Sequence, residues 1–237
     1  MNEMEEKMLK HVGVIVDGNR RFAKKVLGHP FKGHEAGSQK VELLIDWAKE
    51  LGIKELTLYV FSMQNFKRPK KEVDYLFELF EKKFSELSDK KEKLKEKGIK
   101  INFIGRLYLL PKKVQEKAIR LKDDTKENNS LTVNFAMGYG GREEIIDAAK
   151  KIAEKVKNNE LDIDDIDEQT FEGCLYNPSQ PDLVIRTSGE NRISNFLSFQ
   201  SAYSEFFFVN KLFPEIEKED FVKIITSFRN RDRRFGR

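Results

Sequence analysis

The 237-residue chain has one cysteine, Cys174, so no internal disulfide can form, and a reducing compartment is expected. No apolar run approaches the ~18 residues that a membrane-spanning helix needs. The first ten residues, MNEMEEKMLK, are charged and lack the apolar stretch of a secretory signal. Charge of one sign is not in excess: 44 Lys and Arg face 40 Asp and Glu, for a net +4. That is far from the one-sided basicity of a dedicated nucleic-acid binder, and no nucleic-acid partner is expected. No stretch is rich enough in Pro, Gly or Ser to be a linker, and no internal repeat appears, so residues 1–237 read as a single domain. The expectation is a cytoplasmic protein.

Several chemistries are also missing. There is no G-x-x-x-x-G-K-[ST] phosphate loop, and GYGGRE (138–143) fails G-x-G-x-x-G at its last position. His11, His29 and His34 lack metal-site spacing, and no cysteine pair exists for zinc. No G-x-S-x-G nucleophile elbow is present.

What is there is a regular alternation. Strand-like runs at 12–16, 56–61, 99–105, 131–137, 182–188 and 205–210 are nearly continuous in apolar residues, as in strands buried on both faces. Helical patterns lie between them near 35–51, 71–97, 111–128, 141–158 and 218–228. This order predicts an α/β domain with a mainly parallel six-stranded sheet flanked by helices.

In open parallel sheets, ligands bind beyond the carboxyl ends of the strands. The first strand is followed by Asp17-Gly18-Asn19-Arg20-Arg21, the second by SMQNFKRPKK with Ser62, Asn65 and Arg68. The fourth leads to GYGGRE with Arg142, and the fifth carries RTSGENRISNF with Arg186, Arg192 and Ser194. Loops are polar in general, but arginine at four separate strand ends points to an anionic ligand. Gly18 permits a tight turn and close backbone approach. The amides of residues 18–21 can face an anion, and Arg21 offers a fork suited to phosphate oxygens. Asp17 would repel that ligand unless a cation lies between them, and magnesium held by a carboxylate and phosphate oxygens is the expected solution.

A second feature is an excess of apolar surface. The 71–97 segment carries Val73, Leu76, Phe77, Leu79, Phe80, Phe84 and Leu87, and the chain has 19 phenylalanines. One core-facing stripe needs less. A helix lining a greasy cavity beside the anion site would suit an amphiphile with a charged head and a hydrocarbon tail.

These stretches resemble the motifs of the cis-prenyltransferases, typified by undecaprenyl diphosphate synthase. DGNRRFAKK, GHEAG, LTLYVFSMQNFKRPKKEV, GYGGREEI, DLVIRTSGENRISNFL and RDRRFG occur in the family's order and spacing from about His11 to Gly236. NRR and NFKRPK look like the archaeal and eukaryotic branch. The resemblance implies a homodimer, each subunit with a hydrophobic tunnel between helices and sheet. It implies Mg²⁺-dependent condensation of isopentenyl diphosphate onto an allylic diphosphate, farnesyl or, on the archaeal look, geranylgeranyl diphosphate. The product would be a long polycis-polyprenyl diphosphate, precursor of a glycosyl carrier lipid, released with a peripheral membrane contact.

By the same match, Asp17 coordinates Mg²⁺ and Glu205 is a metal-linked carboxylate. Gly18, Asn19, Arg20 and Arg21 cradle the allylic diphosphate, with Phe22 beside them and His34 and Arg68 in support. Ser62 and Asn65 sit near the reacting carbons, with either the released diphosphate or Asn65 assisting loss of the proton, and Phe66 is a further substrate-binding position. Arg186, Arg192 and Ser194 hold isopentenyl diphosphate, Val60 and Leu131 match tunnel-wall positions, and Arg234 and Gly236 in the terminal RFG complete the partner's site. The chain departs from bacterial members at Phe22 and Gln64, where those have Trp and Glu. It departs again at Pro30, where they have a phosphate-binding arginine; Arg20 is expected to compensate. Two other readings compete: a catalytically dead partner subunit, which the retained Asp17, Arg68, Arg186, Arg192 and Glu205 argue against, and RNA binding through RNRDRRFGR and NFKRPKK, which the charge balance argues against.

Overall fold

The computed structural model describes residues 9–28 and 31–231. Its centre is one six-stranded sheet: β1 (His11–Ile15), β2 (Glu55–Ser62), β3 (Ile99–Ile104), β4 (Leu131–Tyr139), β5 (Leu183–Arg186) and β6 (Glu205–Phe208). The spatial order is β3-β4-β2-β1-β5-β6, with every neighbouring pair parallel. All six expected strands form, in the expected α/β arrangement.

The helices are α1 (Asn19–Phe22), running into a π-helical turn at Ala23–Leu27, α2 (Lys32–Glu50), α3 (Lys70–Asp89), α4 (Lys91–Glu96), α5 (Lys112–Asp124), α6 (Gly141–Lys157), α7 (Glu168–Glu172) and α8 (Lys218–Arg229). The 71–97 pattern, expected as one helix, breaks at Lys90, whose ψ of 15° leaves its amide on the Leu87 carbonyl. The break re-aims α4 so that Leu94 still reaches the core. The four-residue α1 and the short α7 were not anticipated, being too brief to show a helical period.

Alternation along each strand builds the two faces. Val12, Val14, Leu56, Leu58, Val133, Phe135, Leu183 and Ile185 pack under α2, α3, α5 and α8 in the main core. Ile15, Tyr59, Ala136 and Val184 face the other way, with Phe196 and Leu197 over them; Ala148 and Ile152 of α6 pack with Cys174 and Leu175 nearby. No helix among the described residues is long and apolar enough to cross a membrane.

The second face carries a buried polar ladder at the amino end of the strands. His11 Nε2 lies 2.8 Å from Thr57 Oγ1 and its Nδ1 lies 3.1 Å from Ser179 Oγ. Asn134 donates to Glu55 Oε1 at 2.6 Å and to Thr57 Oγ1 at 3.1 Å, and Asn102 donates to Asn134 at 3.1 Å. The ladder spans β1 to β3 and pins their register by hydrogen bonds that a one-residue slip would break.

Burial holds the His11 imidazole below its ordinary pKa, outweighing the attraction of Glu55 and Asp182. Above the unfolded value of about 6.5, folded and unfolded chains both carry a neutral His11; below it, the unfolded chain takes the proton first. Stability should therefore fall as pH drops from 6.5 towards the folded pKa, by at most about 1.4 kcal/mol per pH unit for this group. Urea unfolding at pH 7, 6 and 5 should show a shallower loss in His11→Gln than in the wild type. Identical slopes would remove His11 as a source.

Candidate active site

The strand order reverses at β1: successive strands run to one side through β2, and β5 returns on the other. The crevice beyond the carboxyl ends of β1 and β5 is the switch point where doubly wound sheets hold ligands. A cavity of about 810 Å³ opens there. Asp17, Gly18, Asn19, Arg20, Arg21, His34, Ser62, Asn65, Arg68, Arg186 and Ser194 all line it, so eleven expected site residues from four chain segments meet in one place.

The entrance turn explains its own sequence. Gly18 has φ +108°, a left-handed conformation that side chains rarely tolerate, and an added Cβ would meet Leu212 at 3.0 Å. Its amide, expected to face an anion, instead donates to Asp17 Oδ1 at 2.7 Å. Thr187, on the β5 side, accepts from the Asp17 amide at 3.1 Å and donates to the Asp17 carbonyl at 2.6 Å. The Asp17 carboxylate is thus fixed from below and about one-third exposed above.

Arg186 is the hub. Its side chain is buried, with Nη2 donating to Asp17 Oδ2 at 3.0 Å and Nη1 to Ser194 Oγ at 2.6 Å and to the Arg192 carbonyl at 2.5 Å. Burial opposes ionisation of Asp17, but the hydrogen bond and charge of Arg186, with the Ser188 hydroxyl and the Gly18 amide, outweigh it and hold the carboxyl below its ordinary pKa. Asp17 therefore stays ionised at neutral pH. Arg21 lies 3.6 Å from Asp17 and donates from Nη1 to the Ser188 carbonyl at 3.0 Å.

A second cluster flanks the cavity. Glu72 on α3 is buried and faces Arg68 Nη1 at 3.1 Å, His34 Nε2 at 3.4 Å and Arg20 Nε at 3.6 Å. Burial and the nearby Arg68 charge keep the His34 pKa below its ordinary value despite Glu72, so the imidazole is neutral at pH 7. On the opposite wall, burial pushes the Tyr59 hydroxyl well above its ordinary pKa, leaving it a donor to the Tyr139 and Ser194 carbonyls at 3.3 Å.

Among the described residues, five buried side-chain polar atoms have no hydrogen-bond partner within the protein, and three belong here: Asn19 Oδ1, His34 Nε2 and Arg186 Nε. These residues line the cavity, but the three atoms themselves are closed to solvent in its wall, and His34 Nε2 has Glu72 Oε1 at 3.4 Å. Asn19 is held by close packing, since a Cβ at Gly37 would fall 2.4 Å from its Oδ1.

A smaller apolar cavity, about 90 Å³, lies directly inward between α2, α3 and the sheet. Val16, Asn19, His34, Val60 and Leu76 line both spaces. Leu76, Leu79, Phe80, Phe84 and Leu87 of α3 form its wall, so the helix singled out for its excess apolar surface does stand beside the anion-like site.

Five expected positions fall elsewhere. Phe66 turns into the core, its ring 4.9 Å from Phe61 and 6.2 Å from Phe77. Phe22 is half-buried and lines neither cavity. The Arg192 side chain is exposed and paired with Glu190 at 2.5 Å; only its carbonyl reaches the hub. Leu131 is buried at the amino end of β4 and lines neither cavity. Glu205 opens β6, level with Leu183 at the amino end of β5, and bonds Arg231 at 2.7 Å. One chain therefore places Glu205 about three residues of strand, ~10 Å, away from the level of Arg186, and the two expected metal carboxylates do not meet within it. Pro30, Arg234 and Gly236 lie outside the described residues.

Gln64, noted above as a departure from bacterial members, is on the cavity wall; sequence reading missed Tyr59, Lys24 and Asn195 there, and Glu72 behind it. Glu72 lies four residues after Arg68, a helical ion-pair spacing that could have shown it.

Comparison with known proteins agrees with this geometry. The family model Prenyltransf, described as "Putative undecaprenyl diphosphate synthase", matches residues 15–236. The chain is 51% identical over 230 residues to a tritrans,polycis-undecaprenyl-diphosphate synthase (geranylgeranyl-diphosphate specific) of Pyrococcus abyssi, covering 96% of this chain and 87% of that protein. The Methanocaldococcus jannaschii protein of the same name is 46% identical over 237 residues, covering 98% and 84%. Among solved structures, lavandulyl diphosphate synthase from Lavandula x intermedia in complex with dimethylallyl diphosphate superimposes with a TM-score of 0.92 at 39% identity, covering 98% of this chain and all of that one. A probable undecaprenyl diphosphate synthase from Campylobacter jejuni gives 0.81 at 37% identity, covering both chains fully.

Gly37→Ala tests the cavity as a diphosphate cradle. Alanine ordinarily favours a helix by about 1 kcal/mol over glycine, but here its methyl would displace Asn19. Calorimetric affinity for inorganic pyrophosphate should fall by about tenfold, ~1.4 kcal/mol, without loss of secondary structure. Undiminished affinity would show that Asn19 does not contact the anion.

Proposed function

The chain belongs to the undecaprenyl diphosphate synthase family and is a cis-prenyltransferase, and from that premise we propose that it extends geranylgeranyl diphosphate with isopentenyl diphosphate units to a long polycis-polyprenyl diphosphate. Farnesyl diphosphate would be the weaker starter. The product would serve as precursor of a glycosyl carrier lipid. The observation that carries the reading is a cavity lined by Arg20, Arg21, Arg68 and Arg186 that abuts an apolar one. A diphosphate head satisfies the first feature and a prenyl tail the second.

In this reading Asn19, Arg20, Arg21, His34 and Arg68 hold the allylic diphosphate, with its tail directed between α2 and α3. Arg186 and Ser194 hold the diphosphate of isopentenyl diphosphate, and Arg192 leaves Glu190 to join them. Fixing both heads brings the isopentenyl double bond against the allylic carbon, which removes much of the entropic barrier. The allylic C–O bond breaks and the diphosphate departs with its electron pair. The isopentenyl double bond supplies the pair for the new C–C bond, and a proton leaves to restore a double bond. Asn65 holds the Ser62 amide through its side-chain oxygen, so the released diphosphate takes the proton.

Asp17 suits a magnesium ion held by one carboxylate and phosphate oxygens: it is ionised, one-third exposed and faces the cradle. When bound, the ion neutralises charge on the departing diphosphate. The apolar cavity of about 90 Å³ would open into a tunnel as the tail grows, with Val60 at its mouth. We propose also that the protein works as a homodimer in which the terminal Arg234 and Gly236 complete the partner's site, and that the product leaves at a membrane surface. The exposed Tyr203 and Phe208 beside and on edge strand β6 support a second copy there.

Pure protein given labelled isopentenyl diphosphate, magnesium and each starter tests the reading: polycis products many units longer than the starter should form, faster from geranylgeranyl diphosphate. No elongation from either would refute it. Asp17→Ala should cut turnover by on the order of 10²-fold or more while pyrophosphate still binds; turnover within a few-fold of wild type would remove Asp17 from the mechanism. Val60→Phe should shorten the products at a near-constant initial rate, and an unchanged length distribution in the folded variant would move the wall elsewhere.

A further inference from the structure

GYGGRE ends β4 and opens α6 at the rim of the cavity, yet it offers no cation to the ligand: the Arg142 side chain is exposed and lines neither cavity. What fills the start of α6 is another part of the chain. The Gly141 amide donates to the Asn195 carbonyl at 2.7 Å, and the Arg142 amide donates to Asn195 Oδ1 at 2.8 Å. Asn195 Nδ2 in turn donates to Glu143 Oε2 at 2.9 Å. Every polar group of the Asn195 side chain is therefore engaged by protein, and two of the four orphan amides of a helix start are satisfied.

The glycines make room for this. A Cβ at Gly140 would fall 2.2 Å from Glu143 Oε2 and 2.6 Å from Asn195 Nδ2, and one at Gly141 would fall 2.5 Å from Ser198 Oγ. The segment seated here is under backbone constraint. Four of the five non-glycine residues with positive φ among the described residues are Ser188 (80°), Ser194 (49°), Asn195 (66°) and Leu197 (44°). Such conformations persist only where the surroundings over-determine them. Ser194 is the residue whose hydroxyl accepts from Arg186 Nη1.

We propose that Asn195 is a positioning residue for the second substrate, and that the start of α6, with Glu143, is the latch that holds it. Asn195 does not touch the diphosphate. It fixes the left-handed turn that points the Ser194 hydroxyl at Arg186 and so keeps the guanidinium aimed between Asp17 and the diphosphate. The proposal rests on the reading that Arg186 and Ser194 hold isopentenyl diphosphate.

The hydrogen-bond polarity of the latch gives a specific test on the full-length enzyme. Asn195→Asp keeps the bond from the Arg142 amide but sets a carboxylate against Glu143. Adding Glu143→Gln supplies a new donor and restores the wild-type net charge. Adding Glu143→Ala instead restores the charge without a donor. Steady-state kinetics should show the KM for isopentenyl diphosphate rising at least about tenfold in N195D, as expected when a part-buried hydrogen bond becomes a repulsion. The KM for the allylic starter should stay within about twofold, N195D/E143Q should recover most of the loss, and N195D/E143A should not. Circular dichroism checks that each variant is folded, and Gly140→Ala, whose φ of −164° any residue adopts, should raise the same KM by crowding the latch alone. A parallel rise in both KM values, equal recovery in the two double variants, or no change in N195D would each overturn the proposal. Ser194→Ala separates the two levels: if it leaves the KM for isopentenyl diphosphate unchanged, the reading of that subsite fails and takes the latch with it. If it raises that KM while N195D does not, the latch alone fails.

Discussion

The Arg186 guanidinium is buried at the end of β5 and has one carboxylate, Asp17, to balance it. A buried arginine without a partner would be strongly unfavourable, and so would an Asp17 held in a half-buried turn without that charge. Each therefore fixes the other, and the pair spans the two strands that flank the switch point. The Gly18 turn, the Thr187 cross-link and the Ser194 segment are all arranged around it. With one terminal nitrogen on Asp17 and the other on Ser194 and the Arg192 carbonyl, a single planar group ties the Asp17 turn to the Ser194 segment across the cavity floor. That geometry needs arginine rather than lysine.

The remaining design follows from keeping charge and hydrocarbon adjacent but separate. Glu72 gathers Arg20, His34 and Arg68 from the side of α3, which limits the repulsion between the two arginines. One turn further along the same helix, Leu76, Leu79 and Phe80 are apolar and face inward. The same α3 thus sets a polar first turn beside the larger cavity and an apolar body along the smaller one.

Much of this was legible in the sequence because parallel strands announce themselves as short apolar runs and their carboxyl ends are where chemistry collects. The ends of VGVIV, LTLYVF and DLVIR are enough by themselves to bring Asp17, Ser62 and Arg186 into one neighbourhood. What was not legible depends on side-chain direction and on contacts distant in sequence. Phe66 and Arg192 sit on the right loops but point elsewhere, into the Phe61 cluster and toward Glu190. Glu205 begins its strand rather than ending it, so it stands at the opposite end of the sheet from Asp17. Arg142 looked like one more phosphate cation, whereas its side chain is exposed and only its backbone amide reaches Asn195. Tyr59 was hidden because a tyrosine inside an apolar run reads as core, and only the fold reveals that its hydroxyl reaches the Ser194 carbonyl.

The central claim is that Asp17 and Ser194, which share no hydrogen bond of their own, act together through Arg186. A double-mutant cycle on kcat/KM for isopentenyl diphosphate, built from Asp17→Asn, Ser194→Ala and the double variant, tests it most directly. Independent sites add to within about 0.5 kcal/mol. The shared guanidinium predicts a coupling of about 1 kcal/mol or more, roughly fivefold in rate, with the double variant less impaired than the product of the two single losses. Strict additivity would contradict the account, because it would mean that the two sides of the cavity are held independently.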